Sequence, residues 1–283
     1  MNCLIVANLF KSETEKLCNS VIEFLQSFNV NVEKFSYNGN KPDSCDFNQS
    51  FNGFDFVITL GGDGTVLYAC RNCAPLSIPV FSINLGEFGF LAPVKKDDWK
   101  KSLEQFIKGV ATVSSRSMLE CEVIRSGVSV FKNNCMNDCF ISSTVSSRII
   151  NLNVAYNHAT LGPFKASGII ISSPTGSTAH SAAAGGPIVD PNLSAFVLTT
   201  LSSFSLSARP LVFGSSGEFI VTVLPCRYEV SLMCDGQISF PLEKDDVVII
   251  SIPEYKAKLI GATQEKFYSA LQSKLNWAGG PRA

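Results

Sequence analysis

Gly61-Gly62-Asp63-Gly64-Thr65 sets one carboxylate among three glycines beside a hydroxyl. The run follows a strand-sized apolar stretch, Phe56-Val57-Ile58-Thr59-Leu60, and leads into a segment of helical character. Glycines let backbone N–H groups approach a ligand closely. A helix N-terminus adds unpaired N–H groups and a field that favours phosphate. Asp63 stands where its carboxylate could reach a ligand held there. A simpler role is a helix cap from Asp63 or Thr65, a contribution of about 1 kcal/mol. Capping alone does not ask for three glycines around one Asp, so the loop points to phosphate chemistry. The chain has no Walker A loop, no full G-x-G-x-x-G and no protein-kinase catalytic motif.

Two more loops carry ligand-binding character. Asn84-Leu85-Gly86-Glu87-Phe88-Gly89-Phe90-Leu91 follows another apolar run. Gly86 and Gly89 permit a tight path. Phe90 is suited either to stacking on a flat base or to holding the loop to the core. Ser172-Ser173-Pro174-Thr175-Gly176-Ser177-Thr178 follows Ile169-Ile170-Ile171 and combines a rigid Pro, a permissive Gly and several hydroxyls. The small residues from Ala179 to Gly186 allow close approach of a ligand or of another helix.

The elements that position these loops read as α/β and then as β. Residues 3–7, 30–35, 54–60 and 80–84 are strand-like, and 13–28 and 65–73 are helical by apolar spacing. The strands are apolar on both faces, as in a parallel sheet covered by helices. After a helix near 103–110, strands dominate: 119–125, 128–132, 149–156, 169–172, 218–224, 228–233, 247–252 and 258–260. Several alternate polar and apolar residues, as half-buried antiparallel strands do. Residues 265–277 are helical again. The expected architecture is an N-terminal parallel-sheet α/β domain over 1–99. A larger β-rich, mainly antiparallel domain follows over 100–263, and a C-terminal helix from about 264–283 packs back on the first domain.

Composition narrows the function. With 23 basic and 24 acidic residues the chain has a formal charge of −1, which offers no polycationic face for nucleic acid. No apolar run approaches the roughly 20 residues of a membrane span, and the N-terminus lacks a signal-peptide plan. The expected location is therefore the cytoplasm. The ten cysteines mostly interrupt ordinary strand and helix patterns. They read as reduced core residues rather than disulfides or metal ligands. Cys70-x-x-Cys73 lacks a second ligand pair nearby.

Taken together, GGDGT at 61–65, NLGEFGFL at 84–91, Asn137-Asp138, SSPTGSTAHSAAAGGP at 172–187, Arg209-Pro210, Asp235-Gly236-Gln237 and the closing FYSALQSKLNWAGG resemble the NAD kinase family. The GGDGT loop alone is also shared with lipid and sphingoid kinases, which leaves such a kinase as an alternative. A non-catalytic NAD sensor is a third. The resemblance implies ATP-dependent phosphorylation of the 2′-hydroxyl of the adenosine ribose of NAD, giving NADP and ADP, with Mg²⁺ or another divalent cation accompanying ATP. It implies Asp63 as catalytic base. It places Gly61, Gly62, Gly64, Thr65, Asn84, Gly86, Gly89, Thr175 and Ser177 in nucleotide- or phosphate-binding loops. Asn137-Asp138 would hold the adenosine end, with Phe90, Thr178, Ala179 and His180 around it. Arg209 is either a phosphate-facing cation or a structural ion-pair partner. A dimer or tetramer is implied, with Lys165 and Ser167 as candidates for cross-subunit contact. The chain departs from the family's usual pattern at four places: Asp138 for Glu, Ser167 for Asp, His180 for Tyr and Phe204 for His. The smaller ring of His180 in place of tyrosine predicts weaker stacking on NAD, and His180→Tyr is expected to lower KM for NAD. Asp63 and its glycines are intact.

Overall fold

A computed structural model describes residues 1–9, 12–37, 51–86, 89–145, 148–203 and 208–277. Cys45, Glu87, Phe88, Phe204, residues 38–50 of the polar stretch and 278–280 of the closing motif lie outside the described residues.

The first unit comprises Met1–Ser115 and Ala257–Ala283. Its sheet is built from β1 (Asn2–Ala7), β2 (Asn31–Ser36), β3 (Phe56–Gly61), β4 (Pro79–Asn84), β5 (Val94–Lys95), β6 (Val113–Ser117) and β19 (Lys256–Ile260). The order is β2-β1-β3-β4-β19-β6, with β5 paired to β4. Pairing is parallel from β2 through β19. β1 and β3 are buried along nearly their whole length, as expected where helices cover both faces. Helices α1 (Ser12–Gln26), α2 (Asp63–Cys73), α3 (Trp99–Ile107) and α5 (Gln264–Leu275) complete the unit. Leu17, Val21 and Leu25 of α1 meet Ile5, Ile58 and Phe81 of the sheet in one core. On α5, capped by the Thr263 hydroxyl, Phe267 is buried and its ring lies 6.0 Å from that of Phe90.

The second unit, Arg116–Lys256, holds two six-stranded sheets. One runs β11 (Ala159–Ala166), β10 (Ile150–Tyr156), β15 (Phe219–Val223), β18 (Val247–Ser251), β7 (Leu119–Arg125), β8 (Val128–Cys135). The other runs β14 (Leu211–Gly214), β13 (Ala195–Leu201), β12 (Gly168–Ser172), β9 (Asp138–Ser143), β16 (Val230–Cys234), β17 (Ile238–Leu242). All pairings in both are antiparallel. Alternate residues of each strand point inward, so Val123, Leu152 and Val221 of the first sheet share a core with Ile141, Ile171, Phe196 and Leu232 of the second. Short helix α4 (His180–Ala183) follows a 3₁₀ turn, Thr175–Thr178.

The units divide at 115/116 and 256/257, where the sequence places the boundaries at 99/100 and 263/264. The reason is β19, which pairs in parallel with β4 and extends the first sheet. An unpaired apolar edge is a liability, and β19 and β6 cover this one. Among the described residues no helix is long and apolar enough to cross a membrane.

Candidate functional site

In the first unit β1 is flanked by β2 on one side and β3 on the other. Chain order reverses there, and ligands of open parallel sheets bind outside the carboxyl ends of strands at such a point. The GGDGT loop leaves β3 at that end. The Asn84 loop leaves β4 beside it, because Gly61 and Asn84 are paired neighbours. Strand register therefore brings the first two loops together.

Asp63 is the first residue of α2, and Gly62 is its N-cap with no side-chain capping bond. The carboxylate does something other than cap. Its Oδ2 accepts from the Phe90 N–H at 3.0 Å and its Oδ1 from the Leu91 N–H at 3.2 Å. Asp63 is half-buried and joins the two loops. Gly89 explains why glycine is needed here: a Cβ at 89 would overlap Asp63 Oδ1. Asn84 is buried, and its Oδ1 accepts from the Gly86 N–H at 2.9 Å. Phe90 turns its ring to α5, where Lys274 Nζ sits 5.6 Å from the ring centroid in addition to the Phe267 contact.

In the second unit the third loop is built against residues 136–138. Ser173 donates its N–H to Asn137 O at 2.9 Å and its hydroxyl to Met136 O at 2.5 Å. The Ser177 hydroxyl donates to Pro174 O at 2.6 Å, and Thr178 Oγ1 donates to Thr175 O at 3.1 Å. The turn is thus self-bonded, except that Thr175 Oγ1 is buried without a hydrogen-bond partner among the described residues. Gly176 lies directly on Asn137, so that a Cβ would overlap its carbonyl. Ala179, half-buried, joins the turn to α4.

Asp138 is fully buried. His180 Nδ1 lies 3.1 Å and 3.2 Å from its two carboxylate oxygens. The same imidazole stacks on Phe140, with centroids 6.1 Å apart. The hydrogen bond to Asp138 raises the pKa of His180 above the ordinary histidine value, with the charge of Asp235 adding to it and burial opposing it. Asp235 supports the loop from beneath. Its carboxylate accepts N–H groups from Met136 at 3.0 Å, Asn137 at 2.7 Å and Asp138 at 3.3 Å.

The chain matches the ATP-NAD kinase N-terminal domain over residues 3–111 and the ATP-NAD kinase C-terminal domain over 136–262. It is 41% identical over 277 residues to an NAD kinase of Treponema denticola, covering 98% of this chain and 96% of that one. The chain belongs to the NAD kinase family. It is also 38% identical to the NAD kinase of Treponema pallidum, covering 98% of this chain and 90% of that one. Among solved structures it is similar to yeast NADH kinase complexed with NADH, with TM-score 0.85 and 25% identity, covering 100% of this chain and 89% of that one. The fold also matches an NAD kinase of Archaeoglobus fulgidus in complex with ATP, with TM-score 0.78 and 23% identity, covering 99% of this chain and 100% of that one.

Two of the four departures from the usual NAD kinase pattern prove to be partners. Asp138 and His180 form one hydrogen-bonded pair, an ion pair whenever the imidazole is protonated. This changes the expectation for His180→Tyr. Tyrosine has carbon where His180 carries Nδ1, so the buried Asp138 carboxylate would lose this hydrogen-bond partner. KM for NAD should therefore rise in His180→Tyr, with turnover within a few-fold. A lower KM would return ring stacking to first place. The pair also carries a pH signature. A histidine whose folded pKa is raised contributes stability fully present below its unfolded pKa of about 6.5, and loses it as pH rises through the higher folded value. Thermal unfolding of wild type should show this loss above about pH 6.5. His180→Gln should flatten it, and parallel curves would remove the pair as its source.

Ser167 and Lys165 lie elsewhere. Strand β12 separates Ser167 from Ser173, six residues or about 20 Å of extended chain. The Ser167 hydroxyl is buried without a hydrogen-bond partner among the described residues, while Lys165 is exposed on β11. Arg209 is exposed just before β14. Asp235 is the residue whose supporting role single-sequence reasoning missed. Its signal was the Asp-Gly pair, with Asp235 at φ +52° and Gly236 at φ +66°, a tight turn that aims the carboxylate back at 136–138.

Proposed function

We propose that the chain transfers the γ-phosphoryl group of ATP to the 2′-hydroxyl of the adenosine ribose of NAD, giving NADP and ADP. The observation that carries this reading is Asp63. It is a carboxylate at the first turn of α2, oriented by two N–H groups of the adjacent glycine loop. A carboxylate held this way can accept the ribose proton through a free lone pair as the new oxygen–phosphorus bond forms. The glycine loops and the N-terminus of α2 would take the phosphates. The adenosine end would sit on Asn137-Asp138 and the 173–179 turn, with the Thr175 hydroxyl as a donor.

A divalent ion such as Mg²⁺ would neutralise phosphate charge during transfer. Among the described residues no group of three acidic or histidine ligands gathers at this loop. At kinase sites Mg²⁺ is usually held by substrate phosphates, several waters and one or two carboxylates. Self-association is part of the same reading. Lys165 and Arg209 sit on or beside β11 and β14, each an edge strand of its sheet, and Leu211 and Val212 of β14 are exposed.

The test is incubation of the purified chain with Mg-ATP and NAD, with NADP read by a coupled dehydrogenase. NADP formation is expected. Phosphorylation of a diacylglycerol or sphingoid base instead would select the lipid-kinase alternative. Tight NAD binding without turnover would select the sensor.

A further inference from the structure

We propose that Cys121, Cys135, Cys139 and Cys234 form a closed tetrathiolate site for one structural zinc ion in the core of the second unit. All four are buried, and their sulfur atoms lie within 4.8 Å of one another. Two come from each sheet: Cys121 on β7 and Cys135 at the end of β8, Cys139 on β9 and Cys234 at the end of β16. The register explains the convergence. Cys135 pairs with Leu119, which puts Cys121, two residues on, on the same inward face of its sheet. Cys139 and Cys234 are direct cross-strand partners in the opposite sheet. Two pairs of sulfurs face each other across the sandwich, Cys121 with Cys234 at 3.4 Å and Cys135 with Cys139 at 3.3 Å.

These separations suit one ion. A tetrahedral Zn–S bond of about 2.3 Å puts ligand sulfurs about 3.8 Å apart, within the observed range and near the two short pairs. Neither short pair is a disulfide, which needs about 2.05 Å. The spacing of Cys135 and Cys139, with three residues between them, also falls in the two-to-four-residue range of zinc ligand pairs. Four sulfurs and no oxygen select a soft or borderline cation over Mg²⁺ or Ca²⁺. Four protein ligands leave no open position for chemistry, which marks the site as structural. Metal binding converts four thiols to thiolates and releases four protons to solvent.

The ion would tie the two sheets together immediately beside the loop that carries Asn137 and Asp138. Cys135 and Cys139 bracket that loop, and Cys234 precedes Asp235, whose carboxylate holds its N–H groups. That positioning role rests on the NAD-kinase reading, whereas metal content does not. Cys70 and Cys73 belong to no such group among the described residues.

The experiment is elemental analysis with native mass spectrometry on the full chain, purified without chelator or a metal-affinity step. One zinc per chain is expected. Refolding the metal-free protein with Co²⁺ should give the sulfur-to-cobalt charge-transfer and visible bands of a tetrahedral tetrathiolate. Cys121→Ser with Cys234→Ser should lose the ion, while Cys70→Ser with Cys73→Ser should keep it. If the first pair does not fold, the wild-type stoichiometry and cobalt spectrum still decide. Wild type without stoichiometric metal after refolding with zinc would overturn the proposal, as would a disulfide among the four or a cobalt spectrum lacking sulfur bands. Zinc present in a chain that makes no NADP would leave this site standing and remove only the catalytic reading.

Discussion

Asp63→Asn is expected to lower turnover by about 10²–10⁴, the usual loss when a general base is removed, in a protein that still folds and binds NAD. Asparagine keeps one carbonyl oxygen but sets an NH₂ group where the second carboxylate oxygen stood. Both oxygens of Asp63 are in use, one for the Phe90 N–H and one for the Leu91 N–H. One of those donors will face the new NH₂ group, at a cost of about 1–3 kcal/mol if it stays unpaired. Water can reach this half-buried position, so the lower end applies and global folding should survive. The measurement is turnover, NAD titration and thermal unfolding on one preparation. Near-wild-type turnover would eliminate Asp63 as the base. Loss of NAD binding together with a lower unfolding temperature would make the clamp between the two loops its main role. Gly89→Ala pushes on the same Asp63 carboxylate without changing its chemistry. Turnover should fall there too.

The three glycine loops were legible in the sequence because their residue types answer to local geometry. A strand that ends on two glycines and an acid leaves few other readings. The helix cap for Asp63 was the wrong local alternative, since its partners are 27 and 28 residues away. Strand pairing decides such contacts, and periodicity does not report it. The same limit hid β9 (Asp138–Ser143), β11 (Ala159–Ala166) and β13 (Ala195–Leu201). β11 contains a glycine and a proline and is mostly not buried, so it lacks the apolar alternation of a half-buried strand. The cysteine cluster is the sharpest case. Cys121 and Cys234 are 113 residues apart, and each fits an ordinary strand pattern alone. The Cys70-x-x-Cys73 spacing is more conspicuous in sequence, yet among the described residues no second ligand pair meets it. Eight of the nine described cysteines are buried.

Gly176→Ala should have the second largest effect, acting on binding rather than chemistry. An alanine Cβ at 176 would stand 2.6 Å from the Asn137 Cα and closer still to its carbonyl. Ordinary contact begins near 3.4 Å, so the turn or the 136–138 loop must move by about an ångström. Neither can move alone, because the Ser173 N–H and hydroxyl are bonded to Asn137 and Met136. Overpacking typically costs about 1–3 kcal/mol, and each strained hydrogen bond adds about 1 kcal/mol. A total near 3 kcal/mol corresponds to a drop of about 6–12 °C in unfolding temperature for a chain of this size. The displaced residues include Asn137 and Asp138, and an ångström of misplacement can cost about 10²-fold in a positioned site. KM for NAD should therefore rise at least about tenfold, with turnover at saturating NAD changed far less. Gly214→Ala is the control, since a Cβ there meets open space, and it should leave both quantities unchanged. A stable Gly176→Ala protein with wild-type KM would mean that the 173–179 turn does not touch the dinucleotide. The adenosine end would then have to be sought away from Asn137.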